Sequence, residues 1–306
     1  MAHVTGELFD WKRLTQVAVP CPLCGIDDAS LYHRYGDEDQ YRYVRCRECR
    51  FIYQSPRFHY DAEFLKWAYS WYGDEFLKSA AGSRSPEELI ANDRGYFAWK
   101  KELLDRFVPT RPYRLMDVGA ACGQFLQFCR GDGGCEVTAV ETSPSQVGYI
   151  RERLGFEVIE GTPESITGRD ATFDAVHIAH TLEHVPDPKG TAAALVRLLK
   201  PAGLLFVEVP NVVSFKNYGD HVRSVLGVRK NTWKKGDFPE HLVEFSGRTL
   251  KHLMRSLGLD IVYFQTHSRS VLKKRPALRS LDFGVNKVVP LGNNLVCLGR
   301  KVPATH

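Results

Sequence analysis

The sequence predicts an α/β fold built on a doubly wound, parallel sheet that helices cover on both faces. Short apolar segments alternate with helical stretches between residues 114 and 264, as expected for strands that are buried on both sides. A turn of small residues separates the first strand from the first helix. Such a turn lets backbone N–H groups approach a ligand closely.

The predicted elements follow one another in a regular order. After a first strand at 114–116, we expect helices over 123–130, 144–154, 189–200 and 249–257, and strands over 136–140, 156–160, 173–179, 204–209, 259–264 and 294–298. Ser246 is a suitable N-cap for the last helix, and Gly258 is placed to end it. The last two strands complete the sheet.

The turn at 117–123 reads Asp-Val-Gly-Ala-Ala-Cys-Gly. A dinucleotide-binding turn, G-x-G-x-x-G, cradles a pyrophosphate, but here Cys122 stands third after Gly119, and Gly123 comes one residue later. The turn therefore suits an uncharged or carboxylate-bearing ligand better. Glu141 ends the next strand, where an open α/β sheet holds the two hydroxyls of a ribose, so we predict Glu141 as the ribose ligand.

Five segments occur in the order and spacing of class I S-adenosylmethionine-dependent methyltransferases, which the chain resembles over about residues 110–265. The segments are 117–123, Glu141, 161–164 (Gly-Thr-Pro-Glu), 182–188 (Leu-Glu-His-Val-Pro-Asp-Pro) and 199–203 (Leu-Lys-Pro-Ala-Gly). The resemblance implies a Rossmann-like, seven-stranded methyltransferase sheet, S-adenosyl-L-methionine as cofactor, and methyl transfer as the reaction.

The resemblance also implies a set of cofactor-binding residues. They are Asp117, Gly119, Ala121, Gly123, Gln124, Phe125, Glu141, Thr142, Thr162, Glu164 and His180. Two positions depart from the family pattern. Ala121 stands where the family usually has glycine, and Thr162 stands where many members have an aspartate near the adenine, a contact that Glu164 is placed to supply instead.

Two C-x-x-C pairs near the N-terminus predict a metal site. Cys21, Cys24, Cys46 and Cys49 have the spacing of a zinc ribbon, in which four thiolates surround a structural Zn²⁺ and leave no position for water. Arg50 replaces the glycine that often follows the second pair. The alternatives are two redox pairs or unligated thiols. The other cysteines are interpreted as reduced core thiols: Cys122, Cys129, Cys135 and Cys297.

The 306 residues can bury one full core and a small appendage. We predict a zinc-ribbon module at 1–58, a helical linker or lid at 59–108, and a methyltransferase domain at 109–306 with an acceptor-cap insertion at 212–240. The aromatic linker residues are interpreted as core against the sheet domain. As a lid, the segment would bring Tyr69 or Tyr72 near the methionine moiety of the cofactor.

An in-line methyl transfer requires an aligned acceptor and, for a hydroxyl or acidic carbon, a base. The candidates beyond the strand ends are His180, Glu183, His184 and His241. His241 is the preferred base, in a segment that resembles the His-Leu-x-x-Phe-Ser segment of sugar and natural-product methyltransferases; a structural histidine is the alternative. For Glu183 and His184 we favour a structural role, in which they hold the turn at 185–188 that follows them. Ubiquinone-type O-methyltransferases resemble this stretch but carry a metal-binding acid where His180 stands, which argues against a catalytic divalent ion.

Basic residues in the insertion and at 269–279 are either solvated or in contact with phosphate. One hypothesis is a small-molecule methyltransferase that resembles sugar C-methyltransferases and related O-methyltransferases. If the basic residues contact phosphate, this hypothesis places the phosphate on a nucleotide-linked sugar. The rival is an RNA methyltransferase. The RNA guanine enzymes carry a histidine in their second metal pair, where this chain has Cys46 and Cys49, so the small molecule is favoured. A non-enzymatic binding module is disfavoured because the cofactor motifs are intact.

The net charge of +5 is modest, and the chain shows neither a leader nor an apolar run of membrane-spanning length. We therefore expect a cytoplasmic protein without a membrane span. The oligomeric state is left open.

Overall fold

A computed structural model describes residues 2–4, 7–9, 15–35, 41–59, 86–131, 133–214, 241–268, 284 and 292–303. Three sequence predictions fall wholly or largely outside these residues: the first part of the lid with Tyr69 and Tyr72, the acceptor cap beyond residue 214, and the basic cluster at 269–279.

The described residues of the N-terminal part form short strands and, from Pro86 onward, a long helix. These are β1 Ala2–Val4, β2 Glu7–Phe9, β3 Gln16–Val17, β4 Ala29–Tyr35, β5 Tyr41–Cys46, β6 Ile52–Gln54, β7 Arg57–Phe58 and α1 Pro86–Phe107. We call residues 15–35 and 41–59 the cysteine module, because they carry both C-x-x-C pairs.

The remaining elements alternate as the sequence predicts. They are β8 Tyr113–Val118, α2 Gln124–Arg130, β9 Cys135–Glu141, α3 Pro144–Tyr149, β10 Glu157–Glu160, β11 Phe173–Ala179, α4 Pro188–Leu198, β12 Leu199–Pro210, β13 Val243–Glu244, α5 Gly247–Ser256, β14 Leu259–His267 and β15 Asn294–Lys301. A π-helical turn, Ile150–Leu154, continues α3, and short 3-10 turns occur at Pro163–Ser165 and Leu182–His184.

Seven strands form one sheet in the order β10-β9-β8-β11-β12-β15-β14, which confirms the predicted fold class. Strands β8 to β12 run parallel, whereas β15 lies antiparallel between β12 and β14. The strand order reverses between β8 and β11. In open α/β sheets a ligand crevice lies at such a reversal, beyond the carboxyl ends of the strands.

Strand β12 is longer than predicted. It begins at Leu199, which pairs with Phe173, and the register then shifts before Ala175 pairs with Leu204. Ala202 adopts a left-handed φ of 62° within this irregular stretch. The predicted helix over 189–200 therefore ends two residues early, at Leu198, because the chain enters the sheet there.

Two apolar cores lie on opposite faces of the sheet. One combines Met116 and Val118 of β8 with residues of the cysteine module such as Phe51 and Tyr53. The other combines Leu115 with Tyr96 and Trp99 of α1, among further residues. Because successive side chains of a strand point to opposite faces, β8 contributes to both cores. The cysteine module and helix α1 are thus packed against the central sheet.

The capping of helix α5 follows the prediction. Ser246 accepts a hydrogen bond from the backbone of Thr249, whose side chain bonds back to the Ser246 backbone, and Gly258 follows the helix with a φ of 72°. None of the helices in the described ranges is long and apolar enough to cross a membrane.

Candidate cofactor and catalytic site

The turn after β8 approaches the segment after β11 too closely to tolerate a side chain at Gly119. A Cβ atom there would lie 2.2 Å from Oγ1 of Thr181, and the φ of Gly119 is 69°. Both constraints require glycine. The turn and the end of β11 therefore line the same crevice, which brings the predicted cofactor turn beside His180 and Thr181.

Glu141 organises this turn from the end of β9. Its Oε2 accepts the backbone N–H of Ala121 at 2.9 Å, and its Oε1 accepts those of Thr142 and Ser143 at 2.8 and 3.0 Å. Burial raises the pKa of Glu141, and these three donors oppose that shift. Each carboxylate oxygen has about two acceptor positions, so Oε2 retains one, as the predicted contact with a ribose hydroxyl requires.

Asp117 contacts its neighbour across the sheet. Its Oδ1 lies 2.6 Å from Nδ1 of His177, the residue paired with it in register on β11. Burial, assisted by the charge of Lys100, lowers the pKa of His177 even though Asp117 opposes the shift. A neutral imidazole then donates Nδ1–H to Asp117. This bond holds the side chain of Asp117 at the end of β8, where the turn begins.

The other predicted cofactor residues occupy different surroundings. The side chain of Phe125 is buried, with its ring 4.5 Å from that of His177, whereas Gln124 is partly exposed. Gly161 donates its N–H to the carbonyl of Glu141 at 3.0 Å, which brings Thr162 beside the predicted ribose ligand. The carboxylate of Glu164 accepts a hydrogen bond from the hydroxyl of Thr191. The geometry thus groups Thr162 with Glu141 and directs Glu164 toward α4.

His180 lies at the end of β11 between two buried acids. Its Nδ1 is 3.6 Å from Oε1 of Glu183, and its Nε2 is 3.5 Å from Oε1 of Glu208. These distances suit ion pairs better than short hydrogen bonds. Burial alone would lower the pKa of His180, but the two carboxylates raise it to about 9. The ring is 29% exposed, so this cation faces the crevice.

Glu208, which was not among the residues predicted from the sequence, has no exposed surface. It accepts hydrogen bonds from Tyr96 at 2.5 Å and His267 at 3.0 Å, and it pairs with Lys100 at 3.3 Å. Burial would raise the pKa of Glu208, but Lys100, His180 and His267 hold this pKa well below its usual value. The only clue in the sequence is an acid inside an otherwise apolar strand, Leu204 to Val209.

Three of the predicted catalytic residues converge. Glu183, His184 and His241 each offer a ligand atom, and these atoms all lie within 4.8 Å of one another. The rings of His184 and His241 meet edge to face at 4.9 Å. Burial would raise the pKa of Glu183, but the neighbouring histidines His180, His184 and His241 lower it. Its Oε2 is buried and has no hydrogen-bond partner among the described residues.

Residues 241–245, which we call the His241 loop, are held by the cysteine module. Strand β13 of this loop pairs antiparallel with β6, and the hydroxyl of Tyr43 donates to the carbonyl of His241 at 2.5 Å. On its other side the loop bonds to the 182–184 turn, through the N–H of Leu242 and the carbonyl of Glu183 at 2.8 Å. Nδ1 of His241 lies 3.5 Å from Oε1 of Glu244.

The two C-x-x-C pairs form one cluster, and the backbone after each pair has the same conformation. Sγ of Cys21 lies 3.5 Å from that of Cys49, and Sγ of Cys24 lies 3.6 Å from that of Cys46. Two sulfurs bound to one tetrahedral Zn²⁺ lie about 3.8 Å apart. The residue after each pair, Gly25 or Arg50, adopts a left-handed φ of 79° or 69°. The donor set therefore fits a four-sulfur metal site.

The fold and the site define a class of protein. A sheet with this strand order, a small-residue turn after its first parallel strand and an acid at the end of the second have the architecture of S-adenosylmethionine-dependent methyltransferases. The chain belongs to the methyltransferase-domain family, whose model matches residues 91–263.

Curated relatives match the central part of the chain. It is 33% identical over 116 residues to a ubiquinone biosynthesis O-methyltransferase of Xylella fastidiosa, which covers 36% of this chain and 47% of that protein. It is 32% identical over 116 residues to a ubiquinone/menaquinone biosynthesis C-methyltransferase of Methylobacterium nodulans, which covers 35% of this chain and 46% of that protein. The chain spans about half the length of these relatives.

Solved structures share the fold. A methyltransferase solved in complex with the Haloferax volcanii Trm112 methyltransferase activator matches with a TM-score of 0.53 at 17% identity, over 76% of this chain and 98% of that one. A Burkholderia thailandensis 1,6-didemethyltoxoflavin-N1-methyltransferase was solved with bound 1,6-didemethyltoxoflavin and S-adenosylhomocysteine. It matches with a TM-score of 0.50 at 19% identity, over 88% of this chain and 98% of that one. At these identities the likeness shows the fold alone.

Proposed function

We propose that this protein transfers the methyl group of S-adenosylmethionine to a small molecule and that His241 is the general base. The observation that carries this proposal is the convergence of Glu183, His184 and His241 at the crevice. The same crevice is bordered by the turn at Gly119, which touches Thr181. Family membership supports the reaction class.

Bound S-adenosylmethionine supplies a methyl group on a sulfonium, which a nucleophile displaces in line. For the cofactor, this chain offers a turn without a side chain at Gly119 and a free acceptor position on Glu141. The turn allows the cofactor to approach its backbone closely, and Glu141 is suited to bind the ribose. Ala121, Gly123 and Thr162 are proposed to complete the pocket.

At the reacting centre, His241 is proposed to take the acceptor proton. Glu244 stands 3.5 Å from Nδ1 of His241 and favours a proton on that nitrogen, which leaves Nε2 as the basic atom. Glu183 carries negative charge beside this ring, so it stabilises the imidazolium that forms. His180 is held as a cation by Glu183 and Glu208, so it favours an acceptor that develops negative charge when its proton leaves.

For the acceptor we propose a sugar, a nucleotide-linked sugar or another glycan or natural-product intermediate, methylated on carbon or oxygen. This choice is supported by the His241 segment and by the N-terminal cysteine cluster in front of the methyltransferase domain. The curated relatives are named as ubiquinone O- and C-methyltransferases, so a phenolic or quinone-type ring is the second candidate class of acceptor.

The grouping of Glu183, His184 and His241 favours a second way to remove the proton. A carboxylate and two imidazoles can bind a divalent cation, and a bound cation lowers the pKa of a coordinated hydroxyl. Turnover that rises severalfold with added Mn²⁺ or Zn²⁺ would transfer the activating role from the imidazole to the cation.

A four-sulfur Zn²⁺ at Cys21, Cys24, Cys46 and Cys49 is proposed as a structural metal, because the sulfur distances fit it. None of the eight cysteines forms a disulfide, and we propose a cytoplasmic location for the protein on this ground.

The proposed function is tested by binding and by product mass. Calorimetry is expected to show S-adenosylmethionine binding, and incubation of labelled cofactor with separate pools of nucleotide sugars, phenols and RNA is expected to label a small molecule. A protein that binds no cofactor would refute the proposal. If the label were found in RNA, and if the protein's affinity for RNA fell steeply as the salt concentration rose, the rival RNA methyltransferase would be established.

A further inference from the structure

We propose that the cysteine module is a positioning element of the active site: Tyr43 and strand β6 hold the His241 loop against Glu183 and His184. This inference rests on the proposed function for the catalytic role of His241. The mechanical coupling itself can be measured without any reaction.

The backbone of Leu242 links the module to the site. Its carbonyl accepts the N–H of Gln54 at 2.9 Å, and its own N–H donates to the carbonyl of Glu183 at 2.8 Å. Next to it, Val243 and Glu244 pair in register with Tyr53 and Ile52. The sheet of the module therefore includes β13 as an edge strand, in the order β13-β6-β5-β4. A shift of β6 moves the residue that follows His241.

The side chain of Tyr43 adds a second restraint. Its hydroxyl donates to the carbonyl of His241 at 2.5 Å, across 198 residues of sequence, and the tyrosine is only 2% exposed. A buried hydrogen bond of this kind restricts the backbone from which the imidazole of His241 extends. That imidazole meets His184 edge to face, so its orientation depends on the loop backbone.

The cysteine cluster is tied to the same contacts. The N–H of Cys46 donates to the carbonyl of Phe51 at 2.8 Å, and the ring of Phe51 lies 5.1 Å from that of Phe245 at the far end of the His241 loop. Cys46 also ends β5, the strand that carries Tyr43. A metal that fixes the four thiolates would therefore fix both restraints on the loop.

The first test compares Tyr43→Phe with Tyr41→Phe. Both changes remove a buried hydroxyl from the same face of β5, but only Tyr43 donates to His241. Hydrogen–deuterium exchange at the amides of Gln54 and Leu242 is expected to speed up about fivefold or more in Tyr43→Phe and to stay unchanged in Tyr41→Phe. Removal of the bound metal by a chelator from the full-length protein is expected to speed up the same amides. Unchanged exchange in Tyr43→Phe and after chelation would overturn the proposal.

The second test asks whether Tyr43 acts through His241. In the wild-type background, Tyr43→Phe is expected to lower kcat about fivefold while the Kd of S-adenosylmethionine stays unchanged and the melting temperature falls by no more than about 5 °C. In a His241→Ala background the same change is expected to have no further effect on kcat, because the group being positioned is gone. Equal losses in both backgrounds would overturn the positioning role. If no methyl transfer were detected but the exchange coupling remained, the proposed function alone would fail.

Discussion

Nε2 of His180 lies 3.5 Å from Oε1 of Glu208, a carboxylate that is completely buried beneath the crevice. The contact places a cationic ring at the end of β11. It also connects the predicted catalytic region to Tyr96 and Lys100 of helix α1, which hold the same carboxylate.

Folding stability is expected to depend on pH through His180. Its pKa is raised from 6.5 to about 9 on folding, so its stabilising contribution is fully present below pH 6.5 and is lost as the pH rises through 9. The contribution is at most about 3 kcal/mol. Urea unfolding of the wild type and of His180→Asn, compared at intervals across this range, measures it. Asparagine tolerates the left-handed φ of 53° at this position, so backbone strain does not obscure the comparison. Parallel pH curves for the two proteins would contradict the assignment.

Glu141→Gln is expected to weaken S-adenosylmethionine binding at least about tenfold, because the amide presents an N–H to backbone donors that the carboxylate accepted. Calorimetry gives the Kd directly. Glu160→Gln is the matched control, since Glu160 pairs with Glu141 in register on the neighbouring strand but is exposed. If Glu141→Gln bound the cofactor as tightly as Glu160→Gln, the ribose assignment would be wrong.

His241→Ala is expected to lower kcat about 100-fold or more and to leave the Kd of S-adenosylmethionine unchanged, because the base acts on the acceptor rather than on the cofactor. Steady-state turnover and calorimetry on the same preparation separate the two quantities. His252→Ala removes an exposed histidine from helix α5 and is expected to behave as the wild type. Normal turnover in His241→Ala would assign proton removal to another group.

Purified protein is expected to contain about one zinc ion per chain, measured by elemental analysis. Cys24→Ser is expected to lose the metal and to melt at a lower temperature, since a four-sulfur site contributes folding free energy. Cys122→Ala changes a buried thiol outside the cluster and should retain the metal. A full complement of zinc in Cys24→Ser would place the ion elsewhere.

Local patterns predicted the helices, the strands and their order, because apolar periodicity and capping residues act within a few positions of one another. The small-residue turn at Gly119 and the capping by Ser246 belong to this class. The start of β12 at Leu199 was missed, because a strand that bends through a left-handed residue such as Ala202 has no simple alternating pattern.

Sequence alone therefore determined the class of fold, the small-residue turn at Gly119 and the four-cysteine cluster, since each depends on residues close together in the chain. Only the tertiary structure decided that Glu208 meets Lys100 and Tyr96 and that Tyr43 meets His241. These contacts join residues about a hundred or more positions apart, the longest of them 198. Whether such pairs meet depends on strand register and on how the helices and the cysteine module pack against the sheet, and no local pattern encodes either.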